Sequence, residues 1–242
     1  MRVGAATLAG GLLGLVGTLC FFLAFGTDYW LVASDNCGPM VIKDANGTER
    51  QLVEAVTASP PSLTLHHEGF LWRCAFQVEP TAHATLATLF TNQPESKVCI
   101  HGYLFPLPVA MGRVPHPSYD AAAVFRGFWT VLMILGLVAA LTGDFLLVCG
   151  VPFASRKLYQ LGGAFLIAAA CLFLSTLLLY VLWMEAMDVE RYVLQERGEG
   201  CHHPQVSVLY GLSFMVAAAG VPLELLSGMV FMLVGRALRA AK

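Results

Sequence analysis

The sequence predicts an all-α membrane protein, a four-helix transmembrane bundle carrying a small extracellular β-sheet. Three observations predict it. Of the 242 residues, 57% are hydrophobic and only 12% charged, and the mean hydropathy is +0.68; soluble domains hold about 25% charged residues. The missing charge is concentrated in four runs, at about 3–26, 127–151, 158–184 and 206–234. Finally, the polar stretch between the first two runs reads as short strands broken by turn residues. The whole chain, 1–242, is expected to form a single membrane domain with outer loops at about 27–126 and 185–205.

Each run has roughly 20 or more residues, enough at about 1.5 Å per residue to cross a hydrocarbon core of about 30 Å. Lipid offers backbone groups no hydrogen-bond partner, and the runs lack the alternation of barrel strands, so they are expected to be helices. Arg2, Arg156, Lys157, Arg236, Arg239 and Lys242 gather on one side with no acidic residue among them, whereas acids outnumber bases on the other. Basic residues in short flanking segments stay in the cytoplasm, which places both termini inside and the two longer loops outside. The sequon Asn46-Gly47-Thr48 agrees, since Asn46 then lies where it can be glycosylated. A net charge of −2 implies nothing about nucleic acid and no basic run suggests it, so no nucleic-acid partner is expected.

The first run exceeds the length of a signal-peptide core, and Asp28-Tyr29-Trp30 follows it in place of a small-residue cleavage site, so it is expected to remain as a span. Its small residues Ala6, Gly10, Gly14 and Thr18 share a helix face, which suits close packing inside the bundle. Beyond Trp30, segments 29–33, 51–57, 63–67 and 70–78 are rich in β-branched and aromatic residues and are expected to be strands. Segment 81–90 has helical spacing. Pro94, Pro106, Pro108, Pro115 and Pro117 make the approach to the second span irregular.

Of the seven cysteines, Cys37, Cys74, Cys99 and Cys201 lie in the outer loops, facing an oxidising compartment. Four cysteines allow three pairings, and the order of residues alone does not choose between them. Cys74–Cys99 is favoured because it closes the loop nearest the Trp72 turn, and closing about 25 residues stabilises by roughly 3 kcal/mol. Cys37–Cys201 would then tie the two loops together. Cys149, at the inner end of the second span, is a candidate for palmitoylation, against the commoner alternative of a buried thiol.

The second span places Gly136, Ala140 and Asp144 on one face, and the fourth repeats the pattern with Gly220, Glu224 and Gly228. A charged carboxylate at mid-membrane costs about 2.5–3.5 kcal/mol, so both acids are expected to face the bundle interior, in its cytoplasmic half. A proton or ion relay needs groups at several depths, and no basic residue lies within a span. The acids are therefore expected to lock helix packing, protonated or bonded to backbone, with an ion path as the alternative. The short connection 152–157 makes spans two and three an antiparallel hairpin. The acid-rich second loop reads as solvated.

All seven histidines fall outside the spans, with pairs at His66-His67 and His202-His203. Adjacent residues on a strand point to opposite faces, so neither pair chelates through both rings, and surface histidines are expected. Phosphate-loop, HExxH, CxxC and GxSxG signatures are absent. No catalytic residue, metal or cofactor is expected.

Trp30, then Gly69-Phe70-Leu71-Trp72 ahead of two cysteines, a large first loop, a small second loop and Arg126 just before span two resemble the claudin and peripheral-myelin-protein superfamily. That group carries a Trp followed by Gly-Leu-Trp-Cys-Cys in its first loop, and a basic residue ahead of span two. Two features depart from it: only Arg73 separates Trp72 from Cys74, and Cys99 lies far beyond the usual spacing. A scaffold-binding terminus is also missing, since the chain ends Arg239-Ala240-Ala241-Lys242. The segments His66-His67-Glu68-Gly69-Phe70-Leu71-Trp72-Arg73-Cys74, Arg126-Gly127-Phe128-Trp129 and Val208-Leu209-Tyr210-Gly211 look like a muscle-associated branch of the superfamily.

The resemblance implies a claudin-like fold in which the first outer loop forms a sheet joined by a strand of the second. It implies a non-enzymatic plasma-membrane protein that restrains myoblast differentiation and fusion by binding an integrin β chain laterally, with a homo-oligomer as a further candidate assembly. The alternatives are an auxiliary channel subunit or a claudin-like junction or paracellular protein. An intramembrane enzyme would rest on Asp144 and Glu224 alone.

Overall fold

The computed structural model describes residues 2–35, 41–43, 49–51, 63–78, 98–101, 117–153, 155–186, 189 and 206–240. Four long helices dominate: α1 (Arg2–Gly26), α2 (Pro117–Phe153), α3 (Arg156–Ala186) and α4 (Leu212–Ala240). Residues 4–26, 127–153, 156–186 and 212–238 are long and apolar enough to cross a membrane. Around them lie strands β1 (Leu31–Asp35), β2 (Val41–Lys43), β3 (Glu49–Gln51), β4 (Leu63–Glu68), β5 (Trp72–Val78), β6 (Val98–His101) and β7 (Val206–Tyr210). Five form one antiparallel sheet in the order β6-β5-β4-β1-β7, and β2 pairs with β3 separately.

The apolar run at 206–234 is not one helix. Its first five residues are β7, paired with β1 from Leu31↔Tyr210 to Asp35↔Val206. Val206, Val208 and Tyr210 turn inward while Ser207 and Leu209 turn out, which is a strand's two-residue period. Gly211 then brings its backbone against Tyr29, where a Cβ would overlap the Tyr29 carbonyl, and α4 begins at Leu212. Gly211 N donates to Trp30 O at 2.9 Å and Ser213 N to Tyr29 O at 2.9 Å, so the second loop's strand is stitched to the exit of α1.

Other boundaries also move. The first strand runs from Leu31 to Asp35 rather than 29–33, because residues 27–30 make the turn out of α1. The strand expected at 70–78 starts at Trp72, because Gly69, Phe70 and Leu71 form a turn. The second long helix begins at Pro117, ten residues before its membrane-spanning part, and proline is well tolerated in a first helical turn. The expected helix at 81–90, most of the expected strand at 51–57, and Pro94, Pro106, Pro108 and Pro115 lie outside the described residues.

In the bundle, α1 packs along α4, α4 along α3 and α3 along α2, with a slighter contact of α1 on α2. Small residues set these spacings: a Cβ on Gly163 would lie 2.8 Å from Gly228 O, so α3 and α4 meet backbone to backbone. Among the described residues the core has two main parts and a small third one, Leu65 and Phe76, within the sheet. Of the main parts, one joins the sheet to the near ends of the helices through Phe21, Trp30, Phe70, Trp129, Phe173 and Trp183, and the other holds Leu147, Tyr159, Leu166, Phe231 and Val234 at the far end. Leu8, Leu12, Leu15, Phe145, Val148 and Leu178 remain exposed on the bundle's outside, as lipid-facing residues do.

Candidate functional site

The sheet meets the bundle through Trp30, which stands between α1 and β1. A helix leaves its last carbonyls without partners. Trp30 Nε1 donates to one of them, Ala24 O, at 2.7 Å, and the ring is 2% exposed. Its faces and edges meet Phe70 at 4.8 Å between centroids, with the rings perpendicular, and Tyr180 at 5.3 Å, with the rings at 66°. Trp129 and Trp183 extend the aromatic layer, 5.3 Å and 5.8 Å respectively from the Tyr180 centroid. A hollow of about 20 Å³ remains beside Trp30, Phe70, Trp129, Tyr180 and Trp183, space for about one water molecule. This is a packed joint rather than a ligand pocket.

Gly69 makes the joint tight. Its N donates to Trp72 O at 2.9 Å, and a Cβ there would lie 2.6 Å from Asp28 Cα and 2.8 Å from Thr27 O. The turn sends Phe70 into the bundle and leaves Leu71 half-buried, while Trp72 is 36% exposed. Cys74 and Cys99 face each other across β5 and β6 and are joined as a disulfide, with Cα atoms 4.1 Å apart. Glu68, largely buried, accepts from Arg73 Nε at 3.1 Å.

The histidines on β4 are not surface residues. His66 Nε2 donates to Asp35 Oδ2 at 2.7 Å, and Asp35 is fully buried. His67 is 1% exposed, donates from Nδ1 to Asp28 O at 3.1 Å and stacks on Tyr29 at 4.4 Å. They do point to opposite faces, but both faces are covered. Burial pushes the Tyr29 phenol above its ordinary value, and the negative charge of Asp28 adds to this. Asp28, His67 and Cys74 bring ligand-type atoms within 4.8 Å of one another, but the Cys74 sulfur is already bonded to Cys99 and offers no thiolate.

Within the bundle, Asp144 of α2 and Glu224 of α4 are brought to one hydroxyl. Thr18 Oγ1 of α1 lies 2.8 Å from Asp144 Oδ2 and 3.0 Å from Glu224 Oε1. One helical turn along α4, Ser227 Oγ donates to Gly10 O at 2.8 Å. Thr18 belongs to the small-residue face of the first span, and that pattern alone gave no sign that its hydroxyl bridges two acids. Tyr180 and Trp183 were equally silent in sequence, as ordinary aromatics of apolar runs, and Trp129 stood out only as part of Arg126-Gly127-Phe128-Trp129.

Cys149 is a free, half-buried thiol in α2. Arg126 lies in α2, its side chain outside the described residues, as are Cys37, Asn46 and Cys201 entirely.

The family model described as PMP-22/EMP/MP20/Claudin tight junction matches residues 15–233. Transmembrane protein 182 of Mus musculus is 43% identical over 239 residues, covering 98% of this chain and 97% of that protein. Its counterpart from Gallus gallus is 42% identical over 241 residues, covering 98% of each chain. The Danio rerio protein of the same name is 35% identical over 241 residues, covering 98% of this chain and 97% of its own. A tryptophan that caps the first span, a glycine turn that seats the sheet, a second-loop strand and four spans thus accompany the match along the whole length, and the chain belongs to the PMP-22/EMP/MP20/Claudin family.

Proposed function

We propose that the protein is a non-enzymatic plasma-membrane regulator of cell adhesion and differentiation, which restrains myoblast differentiation and fusion by binding an integrin β chain laterally through its sheet. The observation that carries the reading is how the sheet is held. It is closed by Cys74–Cys99, seated on the bundle by Trp30 and Phe70, and presents Trp72 at its open surface. A preformed surface loses little entropy on binding, and exposed tryptophans are frequent anchors of interfaces. Near-full-length similarity to transmembrane protein 182 supports its coarser part, a membrane protein of the claudin superfamily.

In this reading the chain is one membrane domain with both termini in the cytoplasm, Asn46 carries a glycan, Cys37 pairs with Cys201, and Cys149 is open to palmitoylation. The test is proximity labelling from the first outer loop in myoblasts, comparing the parent with Trp72→Ala. The expected result is an integrin β chain enriched by the parent and lost with the variant. Equal enrichment would remove Trp72 from the interface; a channel or junctional set in its place would favour the alternative of an auxiliary or paracellular protein.

A further inference from the structure

The two intramembrane acids share a hydroxyl that has only one hydrogen to give. Thr18 Oγ1 lies 2.8 Å from Asp144 Oδ2 and 3.0 Å from Glu224 Oε1, and both separations are hydrogen-bond distances. A threonine hydroxyl donates once and accepts through its lone pairs. An ionised carboxylate only accepts. Two linear hydrogen bonds at Thr18 therefore need a second proton, held on one of the carboxyls. The alternative, two carboxylates around one hydroxyl, leaves two negative charges facing each other with no compensating cation. No lysine, arginine or histidine occurs in 4–26, 127–153, 158–186 or 212–235.

Which carboxyl holds the proton follows from what surrounds the other oxygens. Glu224 is 0% exposed, and among the described residues its Oε2 has no hydrogen-bond partner. That oxygen is turned toward Gly17 of α1, at the place a Cβ would occupy. An unbonded oxygen of a buried carboxylate carries half of an uncompensated charge, and the cost is severe. As the carbonyl oxygen of a neutral acid it gives up only an acceptor, and a Cα–H contact from Gly17 suits it. Asp144 is half-buried, and among the described residues neither of its oxygens is both fully buried and unbonded, so a charge there lacks the same orphaned oxygen.

We propose that Glu224 is a proton-binding site within the membrane, in which Glu224 Oε1–H donates to Thr18 Oγ1 and Thr18 in turn donates to Asp144 Oδ2. The chain of bonds runs from α4 through α1 to α2, and its ligand is a single proton. Among the described residues, the other elements around it supply no competing charge. From α3 comes Leu166, whose Cδ1 lies 3.5 Å from the Cβ position of Gly14. From α1 the remaining titratable group is Cys20, which packs on Gly220 one turn of α4 away, and α4 itself adds only the Ser227 hydroxyl. The site joins α1 to α2 where the two helices otherwise touch little.

The test is infrared spectroscopy of the full chain in lipid nanodiscs at neutral pH, in sodium chloride and in choline chloride. The expected result is a protonated-carboxyl C=O stretch in the parent that is lost in Glu224→Gln, kept in Asp144→Asn, and the same in both salts. Thr18→Val should shift that band and Thr18→Ser restore it, which keeps the proposal testable even if neither acid variant accumulates. Absence of the band in the parent overturns the proposal, as does a band lost in Asp144→Asn but kept in Glu224→Gln. A melting temperature that rises with sodium, together with no such band, would make the occupant a metal ion and also overturn it.

Discussion

Gly69 and Trp30 fix the joint at the scale of single residues. Only hydrogen fits on Gly69 Cα, since a methyl would lie 2.6 Å from Asp28 Cα, and backbone cannot swing aside as a side chain would. Overpacking of this kind costs about 1–3 kcal/mol. Gly69→Ala is therefore expected to lower the melting temperature of the purified protein, and an unchanged value would show that the turn relaxes. Trp30→Phe keeps a ring against Phe70 but removes the donor to Ala24 O. A buried acceptor left unmatched costs about 1–3 kcal/mol, so this variant too should melt earlier. Trp72→Ala is the contrast. At 36% exposure it should cost less stability than truncating a fully buried tryptophan while removing the interface proposed above, so surface delivery of the variant is measured beside its partner labelling.

Among the elements, β6 is an edge strand that depends on its disulfide. Its four residues sit at the edge of the sheet with β5 as their neighbour in it, and Cys74–Cys99 crosses that pairing. Replacing both cysteines with serine should cost about 3 kcal/mol and open the β5–β6 edge to protease while leaving the helices intact. Simultaneous loss of the helices would mean the disulfide holds more than its strand pair.

How far such elements could be read in advance depended on the length scale of their signal. Four spans were legible because nothing else needs twenty or more predominantly apolar residues in a row. The strand at Val206–Tyr210 was hidden by the same signal, since five apolar residues beside a helix extend the run and only the turn at Gly211 separates them. The inward aim of His66 and His67 was illegible, because it depends on Asp35 and Tyr29 arriving from another part of the chain. Asp144 and Glu224 stood out singly. Their meeting at Thr18 depends on how three helices rotate about their axes, which small-residue spacing leaves open.

For the molecule as a whole, the division of the core has a consequence. The sheet and the near ends of the helices share one set of side chains, running from Phe70 and Leu31 through Trp30 to Trp129, Phe173 and Trp183. The far end has its own set around Tyr159 and Phe231, stacked at 5.9 Å, and no residue belongs to both. If the sheet is stabilised by the core it stands on, a cavity in that core should loosen the strands even when it is made within a helix. A cavity of similar size at the far end should not. Trp183, 2% exposed in α3, and Phe231, 2% exposed in α4, are matched in burial for this comparison. Truncating either to alanine should cost about 3–5 kcal/mol. Amide hydrogen exchange of the full chain in nanodiscs then separates them. Trp183→Ala is expected to speed exchange in β1, β4 and β7, and Phe231→Ala to leave those strands at the parent's rate while opening the far ends of α3 and α4. Equal acceleration of the strands by both variants would mean that the bundle unfolds as one unit and that its near end is not a separate platform for the sheet.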